Sequence, residues 1–227
     1  MRVLSSGVDT LELTARGKVR EVVWADLLDV QRRAVQNEQP ESVELAGQAF
    51  LVQPYGWRNY GLWLRSDDFE LMLGCNEHFP AARVEVSSSC LHALGPQLAA
   101  ELVGSTLSCR VLSGEVEPKV SRVDLYCDVQ GWPLRLEDLR RFVTRARTRC
   151  GHLDEDQVEE QIQPDRVYTS AKGLTGLDFG RRGGGVYVRI YDKTTEIGRR
   201  GLAWLPDLWG SDRLPGAVWR VEAECGV

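Results

Sequence analysis

The chain has 227 residues, 43% of them hydrophobic, with 33 acidic and 28 basic side chains and a formal net charge of −5. That composition fits a globular protein with a sizeable core and excludes a disordered polyelectrolyte or a protein that coats nucleic acid by bulk charge, though not a local basic groove. No apolar run reaches the roughly 18–20 residues that span a bilayer, and the N-terminus lacks a signal-peptide pattern, so a cytoplasmic protein with no membrane partner is expected.

Gly7–Thr14 is rich in β-branched residues and predicts a strand, ended by Ala15-Arg16-Gly17. From Glu21 to about Gln36, apolar residues at 22, 23, 27, 28 and 30 predict an amphipathic helix that Asn37–Pro40 stops. Phe50–Gln53, Tyr60–Arg65 and Phe69–Leu73 read as a meander of short strands, the first two joined by a Pro-Tyr-Gly-Trp-Arg-Asn turn. Ala82–Val86 alternates as a strand. Ser87–Ser89 can cap a helix running to about Val103, which Gly95-Pro96 should kink or break.

After a loop near Gly114–Pro118 the order starts again. Arg122–Val129 predicts a strand, Leu134 to about Cys150 a helix, and Asp165–Ser170 and Thr175–Phe179 extended chain. A Gly183-Gly184-Gly185 turn leads into a strand from Val186. Thr194–Arg200 reads as a short helix or loop, Trp204–Pro215 as irregular chain, and Trp219–Cys225 as the last strand. Both halves thus run strand, helix, then several strands. The expectation is an α+β fold with a large, mostly antiparallel sheet built from two β-α-β-β-β repeats and helices packed on one face. The whole of 1–227 would form one domain, with a degenerate half over about 1–112 and a catalytic half over about 118–227. Asp9 would stand where Asp124 stands, and Glu85 where Glu222 or Glu224 stands.

Three strands of the second half divide into an aliphatic and a chemical face. Val186, Val188 and Ile190 alternate with Tyr187, Arg189, Tyr191 and Lys193. Arg122, Asp124, Tyr126 and Asp128 share one face, and Arg220, Glu222 and Glu224 another. Neighbouring strands lie about 4.8 Å apart, so Asp124, Asp128, Glu222 and Glu224 can converge, and hard oxygen donors of this kind suit Mg²⁺ or Mn²⁺. Tyr191, flanked by Arg189 and Lys193, becomes a candidate nucleophile, because cations favour the phenolate. Arg140, Arg145, Arg181, Arg182, Arg199 and Arg200 offer cations for a phosphate track. The 6 cysteines form no C-x-x-C pair and the 3 histidines no metal-binding spacing, which argues against a zinc or histidine-based site.

The runs Gly173-Leu174-Thr175-Gly176-Leu177-Asp178-Phe179-Gly180-Arg181-Arg182, Arg189-Ile190-Tyr191-Asp192-Lys193-Thr194-Thr195-Glu196 and Trp219-Arg220-Val221-Glu222-Ala223-Glu224, with Arg122-Val123-Asp124 upstream, resemble the replication initiation factor family. These are the rolling-circle initiators of small plasmids and filamentous phages, with related conjugative relaxases. Two positions depart from the family pattern: Leu177 stands for a tyrosine and Arg181 for a serine. The resemblance implies a relaxase-like nuclease domain that nicks single-stranded or extruded origin DNA and becomes joined to the 5′ phosphate through Tyr191, with carboxylates holding the metal. It also implies a host helicase and a homodimer among its partners, and a DNA-specifying region beyond the last motif. Two other readings of the same residues stay open. One is a two-metal carboxylate nuclease or nucleotidyltransferase with no covalent intermediate; the other is a non-catalytic DNA-binding module.

Overall fold

The computed structural model describes residues 1–135, 138, 141–143, 149–152, 167–168, 174–182, 186–200, 204–210 and 216–226. Among the described residues, strands are hydrogen-bonded in the order β11 (Val167–Tyr168), β10 (Arg149–His152), β12 (Gly176–Phe179), β13 (Val186–Asp192), β14 (Val218–Gly226) and β9 (Lys119–Gln130), and in the order β1 (Arg2–Ala15), β7 (Ala82–Val86), β6 (Phe69–Leu73), β5 (Leu62–Arg65), β4 (Gln48–Val52) and β3 (Glu41–Leu45). Apart from β10 with β11, which run parallel, neighbouring strands such as β12 with β13, β13 with β14, β3 with β4 and β6 with β7 are antiparallel, which establishes the expected α+β class with a large, mostly antiparallel sheet. The chain divides into two compact units: Val8–Val123, and Met1–Gly7 together with Asp124–Gly226. The division falls inside β9 (Lys119–Gln130) rather than in the loop before it, and β1 (Arg2–Ala15) likewise contributes to both units.

In the N-terminal unit, β1 is followed by β2 (Lys18–Val19), α1 (Glu21–Gln36), β3 (Glu41–Leu45), β4 (Gln48–Val52), β5 (Leu62–Arg65), β6 (Phe69–Leu73) and β7 (Ala82–Val86). Gly95, at φ +79°, separates α2 (Ser88–Leu94) from α3 (Pro96–Thr106), so the expected kink is a full break. Ser87 caps α2 by accepting the Cys90 amide. A π-helical turn, Leu107–Val111, leads to β8 (Leu112–Ser113), which pairs with β2 in a small second sheet. Leu11, Leu13, Leu62, Leu64, Leu71, Leu73 and Val84 alternate into one core with Leu27, Val30, Ala99 and Val103 of the helices. The opposite face of this unit's sheet carries Glu12, Glu70, Glu85, Arg83 and Trp63.

In the C-terminal unit, β9 is followed by β10 (Arg149–His152), β11 (Val167–Tyr168), β12 (Gly176–Phe179), β13 (Val186–Asp192), α4 (Lys193–Arg200), α5 (Leu205–Leu208) and β14 (Val218–Gly226). Arg149 and Cys150 belong to a strand, not to the end of the helix expected over Leu134–Cys150; most of that stretch lies outside the described residues. The apolar core gathers Val129, Leu134, Leu177, Phe179, Ile190 and Trp219. No described helix is long and apolar enough to cross a membrane.

The two units repeat a detail that alternation alone does not reveal. Met72 faces Arg83 and Glu70 faces Glu85 in one; Tyr191 faces Arg220 and Arg189 faces Glu222 in the other. Arg83-Val84-Glu85 therefore occupies the register of Arg220-Val221-Glu222. Glu12, rather than Asp9, is the β1 carboxylate abreast of Glu85, because the Glu12–Glu85 register places Asp9 on the other side of the strand's pleat.

Candidate active site

β12, β13 and β14 bring their chemical faces side by side, with Asp178, Arg189 and Glu222 in one cross-strand row and Tyr191 beside Arg220 in the next. Adjacent strands hold such partners about 5 Å apart, so their side chains must interact. The Glu222 carboxylate is 2% exposed. Its Oε1 accepts from Arg189 Nη2 at 2.6 Å and Nε at 3.1 Å, and its Oε2 accepts from the Tyr191 hydroxyl at 3.0 Å. The Arg189 guanidinium carbon also lies 4.9 Å from the Tyr191 ring centroid.

Lys193 is the first residue of α4 rather than a continuation of the strand face, yet its Nζ returns to within 3.3 Å of the Tyr191 hydroxyl. Asp192 caps this helix: its oxygens accept from the Thr195 amide at 3.2 Å and the Thr195 hydroxyl at 2.8 Å. Glu196, one turn along, accepts from Lys193 Nζ at 2.6 Å and supplies the counter-charge for an ammonium that is 4% exposed. The run Asp192-Lys193-Thr194-Thr195-Glu196 therefore has a local logic, in which Asp starts the helix, Lys serves the tyrosine and Glu holds Lys. Val218 donates its amide to Thr194 Oγ1, tying α4 to β14.

Burial pushes the Tyr191 hydroxyl well above the ordinary tyrosine range, and Glu222 and Glu196 push in the same direction against Arg220 and Arg189. The phenol is therefore neutral near pH 7. Tyr187 is pushed up to about 12 by burial and a hydrogen bond to Asp178. Burial alone would lower the Arg189 guanidinium, but Glu222 together with Tyr191 and Tyr187 raises it overall and holds the cation charged.

Asp128 does not join Glu222. It is 0% exposed, and its two oxygens accept from Arg220 Nε at 2.7 Å and Nη2 at 2.8 Å, and from Trp209 Nε1 at 2.9 Å. Arg220, also 0% exposed, lies 4.2 Å above the Tyr126 ring, whose hydroxyl pairs with Ser5 Oγ at 2.7 Å. This buried pair fixes β9 against β14. Asp124 is buried and Glu224 half-buried, and both take part in other interactions.

Among the described residues, no group of three or more His, Cys, Asp or Glu side chains is placed to hold a metal ion. The reason is visible at the two best-placed carboxylates: Arg189 and Tyr191 occupy the oxygens of Glu222, and Arg220 and Trp209 those of Asp128. The arrangement of Asp124, Asp128, Glu222 and Glu224 thus does not fit the Mg²⁺ or Mn²⁺ seat expected of them.

Of the expected DNA-contacting cations, Arg181 and Arg182 are exposed, and Arg182 lies 5.6 Å from the Tyr187 ring centroid. Arg199 and Arg200 belong to α4, but their side chains lie outside the described residues, as do Arg140 and Arg145 altogether. A cavity of about 1360 Å³ in the N-terminal unit, bordered by Arg16, Lys18, Cys75 and Arg110, contains none of these groups. Sequence reasoning missed the contributions of Asp192, Glu196 and Trp209. The Asp-x-x-Thr spacing before a helix carried the first of these; nothing local announces Trp209, which meets Asp128 from 81 residues away.

A solved structure, the rolling circle replication initiator protein from Geobacillus stearothermophilus, matches 98% of this chain and 74% of its own, with a TM-score of 0.52 and 14% identity. The two chains share a fold. At this identity the likeness establishes the architecture and leaves the chemistry to the residues. No family model matches the chain, and no curated protein matches it in sequence.

Proposed function

We propose that this chain is a rolling-circle DNA replication initiator or relaxase that nicks and rejoins one DNA strand through Tyr191. The observation that carries the reading is the Tyr191 hydroxyl, which donates to Glu222 and accepts from Lys193 on an initiator fold. The buried phenol is too weakly acidic to ionise by itself, so attack requires a base in contact with it. Glu222 Oε2 takes the proton as Tyr191 Oη forms its bond to the scissile phosphorus. The phosphorus–3′-oxygen bond breaks, and the leaving oxygen collects a proton to become a free 3′ hydroxyl. The 5′ phosphate stays on the tyrosine as a phosphodiester. Lys193 stabilises negative charge on Oη, and Arg189 holds the carboxylate of the base in register.

Because one phosphodiester replaces another, the step runs in reverse when a 3′ hydroxyl attacks the tyrosyl ester. The N-terminal unit, with buried Met72 in the register of Tyr191, is read as a degenerate copy that lacks a nucleophile. Origin DNA is the substrate class that this reading requires, with Arg181 and Arg182 as exposed cations beside β12. No step above is assigned to a metal ion.

The test is a covalent trap. Labelled single-stranded oligonucleotides tiled across the origin of the encoding replicon are incubated with protein in Mn²⁺ and, separately, in EDTA, then resolved under SDS. A labelled band at the mass of the protein plus DNA is expected from the wild type and not from Tyr191→Phe. Absence of the band with every oligonucleotide in both buffers, or its persistence in Tyr191→Phe, overturns the reading.

A further inference from the structure

The Pro-Tyr-Gly-Trp-Arg-Asn turn between β4 and β5 is not used by the chemistry above, and it is built to hold a fixed shape. Trp57 and Tyr60 exchange both backbone hydrogen bonds, at 3.0 and 2.9 Å. A Cβ on Gly56 would lie 2.2 Å from the Tyr60 carbonyl oxygen, so the closed turn accepts only glycine there. Arg58 sits at φ +51°, a left-handed conformation that costs an arginine on the order of 1 kcal/mol.

What this rigid turn displays is aromatic and cationic. Tyr55 is 74% exposed. The Arg58 guanidinium carbon lies 4.2 Å from the Trp57 ring centroid, and Arg83 approaches the same ring at 5.1 Å. Along the row formed by Trp63, buried Met72 and Arg83 lies half-buried Trp63, whose ring is 5.7 Å from the Arg65 guanidinium carbon. Arg65 pairs with Glu70 and Arg83 with Glu12. Arg58 has no carboxylate partner among the described residues and remains available to an anion.

We propose that this aromatic–arginine surface is a second binding site for single-stranded DNA, in which a base stacks on Tyr55 or the Trp57 platform and Arg58 neutralises a phosphate. The inference rests on the reading of the chain as a DNA-strand transferase. Flat rings interleaved with cations match a ligand whose bases are unpaired and whose backbone is anionic, and each stacked base contributes roughly 1–3 kcal/mol. A paired duplex hides its base faces and would use only the cation.

Fluorescence anisotropy with a labelled (dT)₂₀ strand and with a duplex of the same length tests this on the full chain. Tyr55→Ala removes an exposed ring, and Arg58→Gly removes the guanidinium while placing at φ +51° the residue that tolerates it best, so both variants keep the fold. Tyr55→Ala is expected to weaken (dT)₂₀ binding about fivefold or more, and Arg58→Gly to reduce the log Kd against log salt slope by about one contact. Tyr55→Ala should change duplex binding less than strand binding, whereas Arg58→Gly, which removes the cation that a duplex would also use, should weaken both. Wild-type affinity in both variants, or equal loss on strand and duplex in Tyr55→Ala, overturns the site while leaving the covalent band of the wild type intact. A wild type that neither binds (dT)₂₀ nor forms the covalent band overturns the parent reading, and this site falls with it.

Discussion

Glu222 stands between Arg189 and Tyr191, one oxygen held by the guanidinium at 2.6 Å and the other by the phenol at 3.0 Å. That relationship gives the carboxylate a role as proton acceptor, and a conservative change isolates it. Glu222→Gln keeps the shape but has a single acceptor oxygen for Arg189 and the phenol, and it is no base. Covalent-adduct formation should slow by roughly 10²- to 10⁴-fold, the range for loss of a general base, with a modest drop in thermal midpoint, because the partly exposed Arg189 loses its counter-charge. A slowing of less than threefold in single-turnover trapping would remove Glu222 from the proton path.

Lys193 and Glu196 make a separable pair. Lys193→Met removes the ammonium beside Tyr191 Oη and should cut adduct formation by about 10²-fold, the scale for losing one aimed electrostatic contact. Glu196→Gln leaves the lysine in place with a weaker partner, so a smaller loss is expected, on the order of tenfold. Single-turnover rates for both variants check the ranking, and a larger defect in Glu196→Gln would mean that Glu196 acts other than through Lys193.

Much of this site was legible in the sequence because strand alternation is a strict period of two. That period alone put Tyr191 with Arg189, Asp124 with Asp128, and Arg220 with Glu222, and the antiparallel class followed from the order of elements. It could not assign partners. Asp128 and Glu222 look alike as strand carboxylates, yet one neutralises a buried arginine and the other faces the tyrosine. The register between β13 and β14, and the reach of Arg220 and the distant Trp209 to Asp128, decide that difference. The 14 residues of β1, begun five residues earlier than alternation indicated, show the same limit: Arg2–Ser6, in which Val3 and Leu4 stand together between Arg2 and two serines, does not alternate and is held in a strand by its neighbours.

The Asp128–Arg220 pair is structural, and its removal should be read in stability. Both groups are 0% exposed, so deleting one leaves an unpaired buried charge. Asp128→Ala or Arg220→Met should cost roughly 3–5 kcal/mol and lower Tm by about 10 °C. The double variant Asp128→Leu with Arg220→Met should recover much of that loss, because two apolar side chains leave no orphan charge. Thermal melts followed by far-UV circular dichroism decide it; additive losses in the double variant would contradict the pairing.

Metal affinity provides a further check on the carboxylates. Arg189 competes for Glu222 Oε1, so the free protein should bind Mn²⁺ weakly, and Arg189→Ala should strengthen binding about threefold or more by releasing a hard oxygen donor. The electron paramagnetic resonance signal of unbound Mn²⁺, titrated with each protein, measures this without DNA. Equal affinity in the two proteins would mean that Arg189 does not limit access to Glu222.

Glu85, in the N-terminal unit, supplies a pH signature independent of the catalytic face. Burial raises its carboxyl above the ordinary value of 4.5, and Glu12 and Glu70 add to the rise against Arg122 and Arg83. The folded chain therefore retains a proton that the unfolded chain releases, and stability falls as pH increases from 4.5 through the folded value. Glu85→Gln removes that dependence and should stabilise the protein at pH 7. Partial exposure and solvent screening limit the gain to about 0.5 kcal/mol. Urea midpoints at pH 4 and pH 7 test the sign: the wild type should lose more between the two than Glu85→Gln, and a variant that loses as much would show that Glu85 ionises in the fold as freely as it does in water.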